Sequence, residues 1–327
     1  MTILPGAPWA IAHKSMLEVN KPYKFTLNGK DYVIWQNDKG EVFALDNICP
    51  HMQAPLSNGW ICSETNSIAC PFHGLKFNHQ GQISKPKSSE KSLINSLELT
   101  IKDNIIWTYG GSKPQLPVPD LITRLTQECH FLGVAGEKII QAPFLNCLKI
   151  NYDFNHAIAT HREPFKFDEI VVKNYREDGY YTQLDQEVIR SENTWQELIT
   201  NPALLTVPKI LRNHFEYAFP SITSVSSQTF LGELLQFFIL YPETETTTKT
   251  FILVYLKPKS ILARLLSSLA TSSFIKSFNL VIEQDSGILE ALYPPQKPKI
   301  SLPREEVMFH AEQLYNRWIK GNLGINS

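Results

Sequence analysis

Short runs of alternating apolar and polar residues fill the first third of the chain, from Pro22 to about Trp107. Tyr23-Lys24-Phe25-Thr26-Leu27 and Tyr32-Val33-Ile34-Trp35 flank Asn28-Gly29. Asn-Gly between two such runs supplies the positive φ angles of a tight hairpin turn. Asn37-Asp38-Lys39-Gly40 turns again into Val42–Leu45, Asn78-His79-Gln80-Gly81 marks a later turn, and Asn104–Tyr109 ends the region as a strand. This third reads as all-β. Gly110 to Pro119 then strings together residues that cannot continue regular structure. The pattern therefore predicts a first domain over 1–112, a linker over 113–119 and a second domain over 120–327.

Beyond the linker, strand-like segments run through Ile170–Tyr175, Tyr180–Arg190, Phe215–Val225, Leu234–Tyr241 and Thr250–Leu256. Phe215, Tyr217 and Phe219 alternate with other residues, as on a sheet with one lined face. With Phe237, Phe238 and Tyr255 they are candidates to line a pocket, or to form plain core. In Arg304–Trp318 the apolar Val307, Ala311, Leu314 and Trp318 recur at spacings of three and four, the signature of a helix, with Ser301 and Pro303 as its cap and first turn. The fold class is α+β, an antiparallel sheet with helices, and no internal repeat is evident. Ile261–Ile282 is apolar but interrupted by Arg264 and Lys276, short of the roughly 18–20 uncharged residues that span a bilayer. It predicts a core helix or a pocket lid and no membrane span.

Composition adds mostly exclusions. The chain has 327 residues, 43% hydrophobic and 19% charged, with a net charge of −1. That balance gives no reason to expect nucleic acid or an anionic membrane as partner. The first residues lack a basic start and a long apolar run, so no secretory signal is expected. Of five cysteines, Cys62, Cys129 and Cys147 read as small buried hydrophobes, and a reducing, cytoplasmic compartment is expected.

The chemistry sits in two loops, Cys49-Pro50-His51 and Cys70-Pro71-Phe72-His73. A structural zinc site usually pairs cysteine with cysteine on one knuckle. Two loops that each offer one Cys and one His instead suit a binuclear [2Fe–2S] cluster, with both cysteines on one iron and both histidines on the other. A cluster alone only moves electrons, so an acceptor site is expected downstream. Asn151–His161 carries His156 and His161, which on a continuous helix would lie about 140° apart. Both reach one metal if a π-bulge intervenes or the helix ends before His161, and Pro164 favours such an end. A carboxylate would complete a two-His-one-carboxylate triad that binds Fe(II) and leaves positions open for dioxygen. Asp285 is the choice; Glu283 and Glu290 compete with it. A zinc-stabilised binding module is the rival use of the Cys/His pairs.

On these motifs the whole chain resembles the catalytic α subunit of the Rieske non-haem iron oxygenases. Members share a Cys-x-His, Cys-x-x-His cluster domain and a later Asp-x-x-His-x-x-x-x-His segment, here Cys49/His51, Cys70/His73 and Asp153/His156/His161. The resemblance implies a helix-grip (START-like) catalytic domain, iron bound by His156, His161 and Asp285, and a head-to-tail homotrimer. In that trimer Asp153 is an electron bridge between the partner subunit's His73 and His156. The implied reaction uses O₂ and two electrons to hydroxylate or oxidatively demethylate a small cyclic or aromatic substrate. No dinucleotide fingerprint is present, since Gly133-Val-Ala-Gly136 has the wrong spacing, so the electrons come from a separate reductase or ferredoxin. Three positions depart from the family: Met52 and Leu75 in the cluster loops, where Arg and Trp are common, and Lys149, where Asn is. The alternative is a Rieske electron-transfer protein without a working mononuclear iron site.

Overall fold

A computed structural model describes residues 3–84, 91–294 and 298–321. The chain divides into two compact units: Met1–Val118 with Pro242–Glu245, and Pro119–Tyr241 with Thr246–Ser327. The first unit thus recruits a short return segment from far along the chain. Asn28 and Gly29 adopt φ of 52° and 76° at the hairpin tip. Their amides donate to the carbonyls of Pro242 and Glu243 at 2.9 and 2.6 Å.

Three three-stranded sheets build that unit. Tyr23–Leu27, Lys30–Gln36 and Val42–Asp46 form the meander read from the turn dipeptides, and Trp60–Cys62, Ser67–Ala69 and Lys76–Phe77 form the second sheet. The strand expected at Asn104–Tyr109 is Ile105–Thr108, paired with Trp9–His13, a strand the alternation did not announce. Val33, Trp35, Leu45, Ile68 and Phe77 make one core, and Cys49 and Cys70 belong to it.

The second unit is one seven-stranded sheet. Its order is His130–Ile140, Thr248–Pro258, Gly232–Pro242, Ile222–Gln228, Ile210–Ala218, Tyr181–Arg190, Phe167–Asp178. Two expectations need correction and one strand was not anticipated. Phe215–Val225 is two strands, because Phe219–Ser221 turns between them. His130–Ile140 is a strand, broken in register near Gly133 and Gly136. The C-terminal helix is Glu306–Ile319 and starts after Arg304, whose φ is 65°; Ser301 and Pro303 do not cap it. The residues after Gly321 lie outside the described chain.

The helix Ile261–Ala291 packs on His130–Ile140 and Thr248–Pro258 through Phe274, Phe278 and Ile282. Contact is close because Gly136 has no side chain: a Cβ there would sit 2.5 Å from Ile282 Cγ1. Arg264 and Lys276 do interrupt the segment, as read from the sequence. By length and composition the helix is apolar enough to cross a membrane, and only 28% of its apolar window is buried. The core reading holds for its second half and not for its first turns.

Candidate metal centres

The two Cys/His loops share one backbone design. Cys49 N donates to Ala54 O at 2.9 Å and Gln53 N to Cys49 O at 2.9 Å; Cys70 N donates to Leu75 O at 2.8 Å and Gly74 N to Cys70 O at 3.0 Å. The fifth residue of each loop, Gln53 or Gly74, has φ of 56° or 66°. This is a structural repeat that the residue pattern hides. Both cysteines are buried, both histidines exposed. His51 Nδ1 and His73 Nδ1 stand 3.2 Å apart. Burial pushes the Cys49 thiol up, as does the neighbouring Cys70, against the pull of the His51 and Met52 amides. Two thiols crowded inside and two imidazole nitrogens converging outside fit the two ends of a [2Fe–2S] cluster. Of the departures from the family, Leu75 packs against the core behind the loops and Met52 is exposed.

In the second unit, His156 begins the short helix His156–Thr160, and His161 is its C-terminal cap at φ −103°, ψ 19°. Of the two routes open in the sequence, the helix ends before His161. Asp285 comes from the long helix and is 7% exposed. His156 Nε2 and His161 Nε2 are 3.3 Å apart, and Asp285 Oδ1 lies 3.4 and 3.1 Å from them. The other carboxylates point elsewhere: Glu283 pairs with Lys138 at 2.7 Å, and Glu290 accepts from Gln141 N at 3.0 Å.

Each imidazole is held by its other nitrogen. His156 Nδ1 meets the backbone carbonyl of Asp153, and His161 Nδ1 is 2.9 Å from Gln284 Oε1. Gln284 is in turn fixed by donating to Glu163 O at 2.6 Å. Such contacts set tautomer and ring orientation and leave Nε2 for a metal. Gln284 was missed as a functional residue; its adjacency to Asp285 was the available signal. The Asp153 carboxylate accepts from Asn155 N at 2.9 Å, so its side chain does not touch His156 through the bond just described. Lys149, the third departure, reaches Glu312 at 3.0 Å.

Burial opposes charge on Asp285, yet the two imidazoles beside it, His156 and His161, hold its carboxyl down to about 2. Burial also opposes charge on His156, and Asp285 and Asp153 outweigh it to raise that imidazole. Asp285 Oδ1 nevertheless has no hydrogen-bond partner among the described residues. A buried ionised oxygen facing two imidazole nitrogens needs a cation. Ligands at right angles on one ion, each about 2.1 Å from it, lie about 3 Å apart, so the trio fits a metal.

The trio opens into a cavity of about 1210 Å³, mouth included, which Asp153 also lines. Of the aromatic candidates, Phe215, Tyr217 and Phe238 line it. Phe237 and Tyr255 pack on each other, and Phe219 packs against Tyr180 and Trp318.

The sequence profile of the Rieske [2Fe-2S] domain matches residues 7–98. Aminopyrrolnitrin oxygenase PrnD of Pseudomonas fluorescens is 25% identical over 50% of this chain and 48% of its own. The oxygenase component of dicamba O-demethylase from Stenotrophomonas maltophilia is 26% identical over 66% of this chain and 60% of its own. The matched regions therefore span about half to three-fifths of these two relatives. The crystal structure of dicamba monooxygenase bound to dicamba superposes with a TM-score of 0.76 at 18% identity, covering 98% of this chain and 99% of that one. The chain thus carries a Rieske [2Fe-2S] domain over residues 7–98 and shares the fold of dicamba monooxygenase.

Proposed function

We propose that the protein is an oxygenase that uses O₂ and two externally supplied electrons to hydroxylate or oxidatively demethylate a small cyclic or aromatic substrate. The observation that carries this is the buried Asp285 Oδ1, without a hydrogen-bond partner and facing two imidazole nitrogens at the end of an apolar cavity. His156, His161 and Asp285 would hold Fe(II), which supplies the capacity to activate dioxygen. Cys49, His51, Cys70 and His73 would hold the cluster that delivers electrons one at a time. The chain's own part is to orient both histidines, exclude water and seat the substrate beside the metal. Demethylation is supported by the name of one relative, dicamba O-demethylase.

The same proposal includes a separate reductase or ferredoxin, a cytoplasmic setting and a homotrimer in which Asp153 bridges to the partner subunit's His73. The exposure of His73 at its loop tip favours delivery to another chain, and free cysteines favour a reducing compartment.

The test is metal and sulfide analysis of the purified protein, with electron paramagnetic resonance after reduction and oxygen uptake with a surrogate reductase. About three irons and two sulfides per chain, with substrate-dependent uptake, are expected. Zinc without sulfide would support the binding module, and two irons without uptake the electron-transfer protein. Asp153→Asn should keep all the iron and lose the uptake; unchanged uptake would remove the bridge.

A further inference from the structure

Four polar side chains cross the cavity wall on neighbouring strands. Gln186 is paired in register with Asn213, and Asn213 with Ser227; Gln236 stands one step diagonally on the next strand. All four line the cavity, and Gln186, Ser227 and Gln236 are more than nine-tenths buried. Asn213 Nδ2 donates to Gln186 Oε1 at 2.9 Å, and Gln236 Nε2 to Ser227 Oγ at 3.2 Å. Asn213 Oδ1 is buried and accepts from nothing among the described residues. The rest of the wall is largely apolar, and no Lys or Arg lines it among the described residues.

Resting on the oxygenase reading, we propose that this strip is a recognition subsite for a neutral, mainly apolar ring compound bearing a hydroxyl or N–H donor. An unpaired buried acceptor costs stability until a donor reaches it. An anionic substrate would find no Lys or Arg on the cavity wall to offset the loss of its hydration, and its one cationic partner would be the iron itself. Specificity then comes from penalty as much as attraction, since a ligand lacking the donor leaves Asn213 unpaired.

Fluorescence titration of the iron-loaded protein with naphthalene, 2-naphthol and 2-naphthoate tests this. 2-Naphthol should bind about ten-fold more tightly than either of the others. Asn213→Leu should bring 2-naphthol down to naphthalene, and Ser227→Ala, a smaller change, should narrow the same ratio. Equal binding of 2-naphthoate, or an unchanged ratio in both variants, would overturn the subsite. Binding needs no turnover, so failure of the oxygenase reading would show separately, in iron content and oxygen uptake.

A second, independent observation concerns the first turns of the long helix. Ile261, Leu262, Leu265 and Leu269 recur on one face and are exposed, Ile261 to 83% and Leu269 to 81%. Trp195, 79% exposed, and Ile199 stand on the neighbouring helix Trp195–Thr200. Lys276 Nζ donates to Thr200 O at 3.1 Å and Ala203 N to Ser273 Oγ at 2.8 Å, which ties the two segments together. From Lys257 to Lys276 the chain carries four basic residues and no acidic one, with Lys257 paired to Glu128 and Lys259, Arg264 and Lys276 in no ion pair among the described residues.

We infer that this face seats the protein on an anionic lipid surface. An apolar stripe flanked by Lys and Arg has the chemistry of a helix lying in the membrane interface. The net charge of −1 hides this local excess. In vesicle sedimentation the whole protein should pellet with phosphatidylcholine vesicles containing phosphatidylglycerol and much less with phosphatidylcholine alone. The double variant Leu265→Glu/Leu269→Glu should lose at least ten-fold in bound fraction with its oligomeric state unchanged. No pelleting of the unaltered protein, or a changed oligomeric state in the variant, would overturn the inference; the second would assign the face to another copy of the chain.

Discussion

Asp285→Ala is expected to remove one iron per chain while leaving the [2Fe–2S] signal intact, and to abolish substrate-dependent oxygen uptake. The side chain brings the one carboxylate into a site otherwise made of two imidazoles. Losing a supporting contact around a metal typically costs about 10–100-fold in affinity, so losing the only charged ligand should cost more than about 100-fold. Gln284→Ala, which frees His161 Nδ1 without touching a ligand atom, should fall within that 10–100-fold range and be rescued by added iron. The measurement is iron per chain with oxygen uptake, read beside the cluster resonance. Full iron retention in Asp285→Ala would transfer the ligand role elsewhere and remove the proposed site. Folding should survive: the long helix is anchored independently by Phe274, Phe278 and Ile282.

Ligand chemistry was legible in the sequence wherever identity alone decides it. Cys49, His51, Cys70 and His73 can be read because one thiol and one imidazole per loop is a composition that few sites need. The choice among Asp285, Glu283 and Glu290 stayed open because it depends on helical phase against a neighbour. On a helix, residues seven apart differ by only about 20°, whereas two apart differ by about 160°. Glu283 and Glu290 therefore share a face, and both meet groups at the end of the strand His130–Ile140, Lys138 and the Gln141 amide just after it. Asp285 lies on the other side, toward the histidines. Phase became usable only once the helix had a partner.

Strand His130–Ile140 escaped for a related reason. Gly133 and Gly136 take φ of 151° and 61° and shift the register, so inward and outward positions do not alternate. The polar strip of the cavity wall was not legible either, for the opposite reason. Gln186, Asn213, Ser227 and Gln236 occupy inward positions of well-formed strands, where a polar residue ordinarily signals the solvent face. Local pattern failed where the protein makes a cavity to be filled by something else.

Gly59→Ala is expected to cost the first unit about 3 kcal/mol or more. A Cβ at Gly59 would lie 1.9 Å from the Ala69 carbonyl oxygen and 3.1 Å from that of Leu56. Neither is the end of a flexible side chain, so the backbone must move. The two strands concerned, Trp60–Cys62 and Ser67–Ala69, have three residues each and little ladder to absorb a shift. Ala69 is buried and directly precedes Cys70, so displacement passes into a cluster loop. The cluster absorbance should therefore bleach at a temperature lower by roughly 10 °C or more. Iron bound through His156, His161 and Asp285 should stay, because those residues belong to the other unit. Gly29→Ala separates clash from backbone strain: its φ is 76° but no atom lies within 4 Å of its Cβ. That change should cost only about 1–2 kcal/mol, the ordinary penalty of a left-handed residue. Equal bleaching temperatures for Gly59→Ala and the unaltered protein would mean that the strands can part without moving Cys70, and that the cluster loops are not braced from this side.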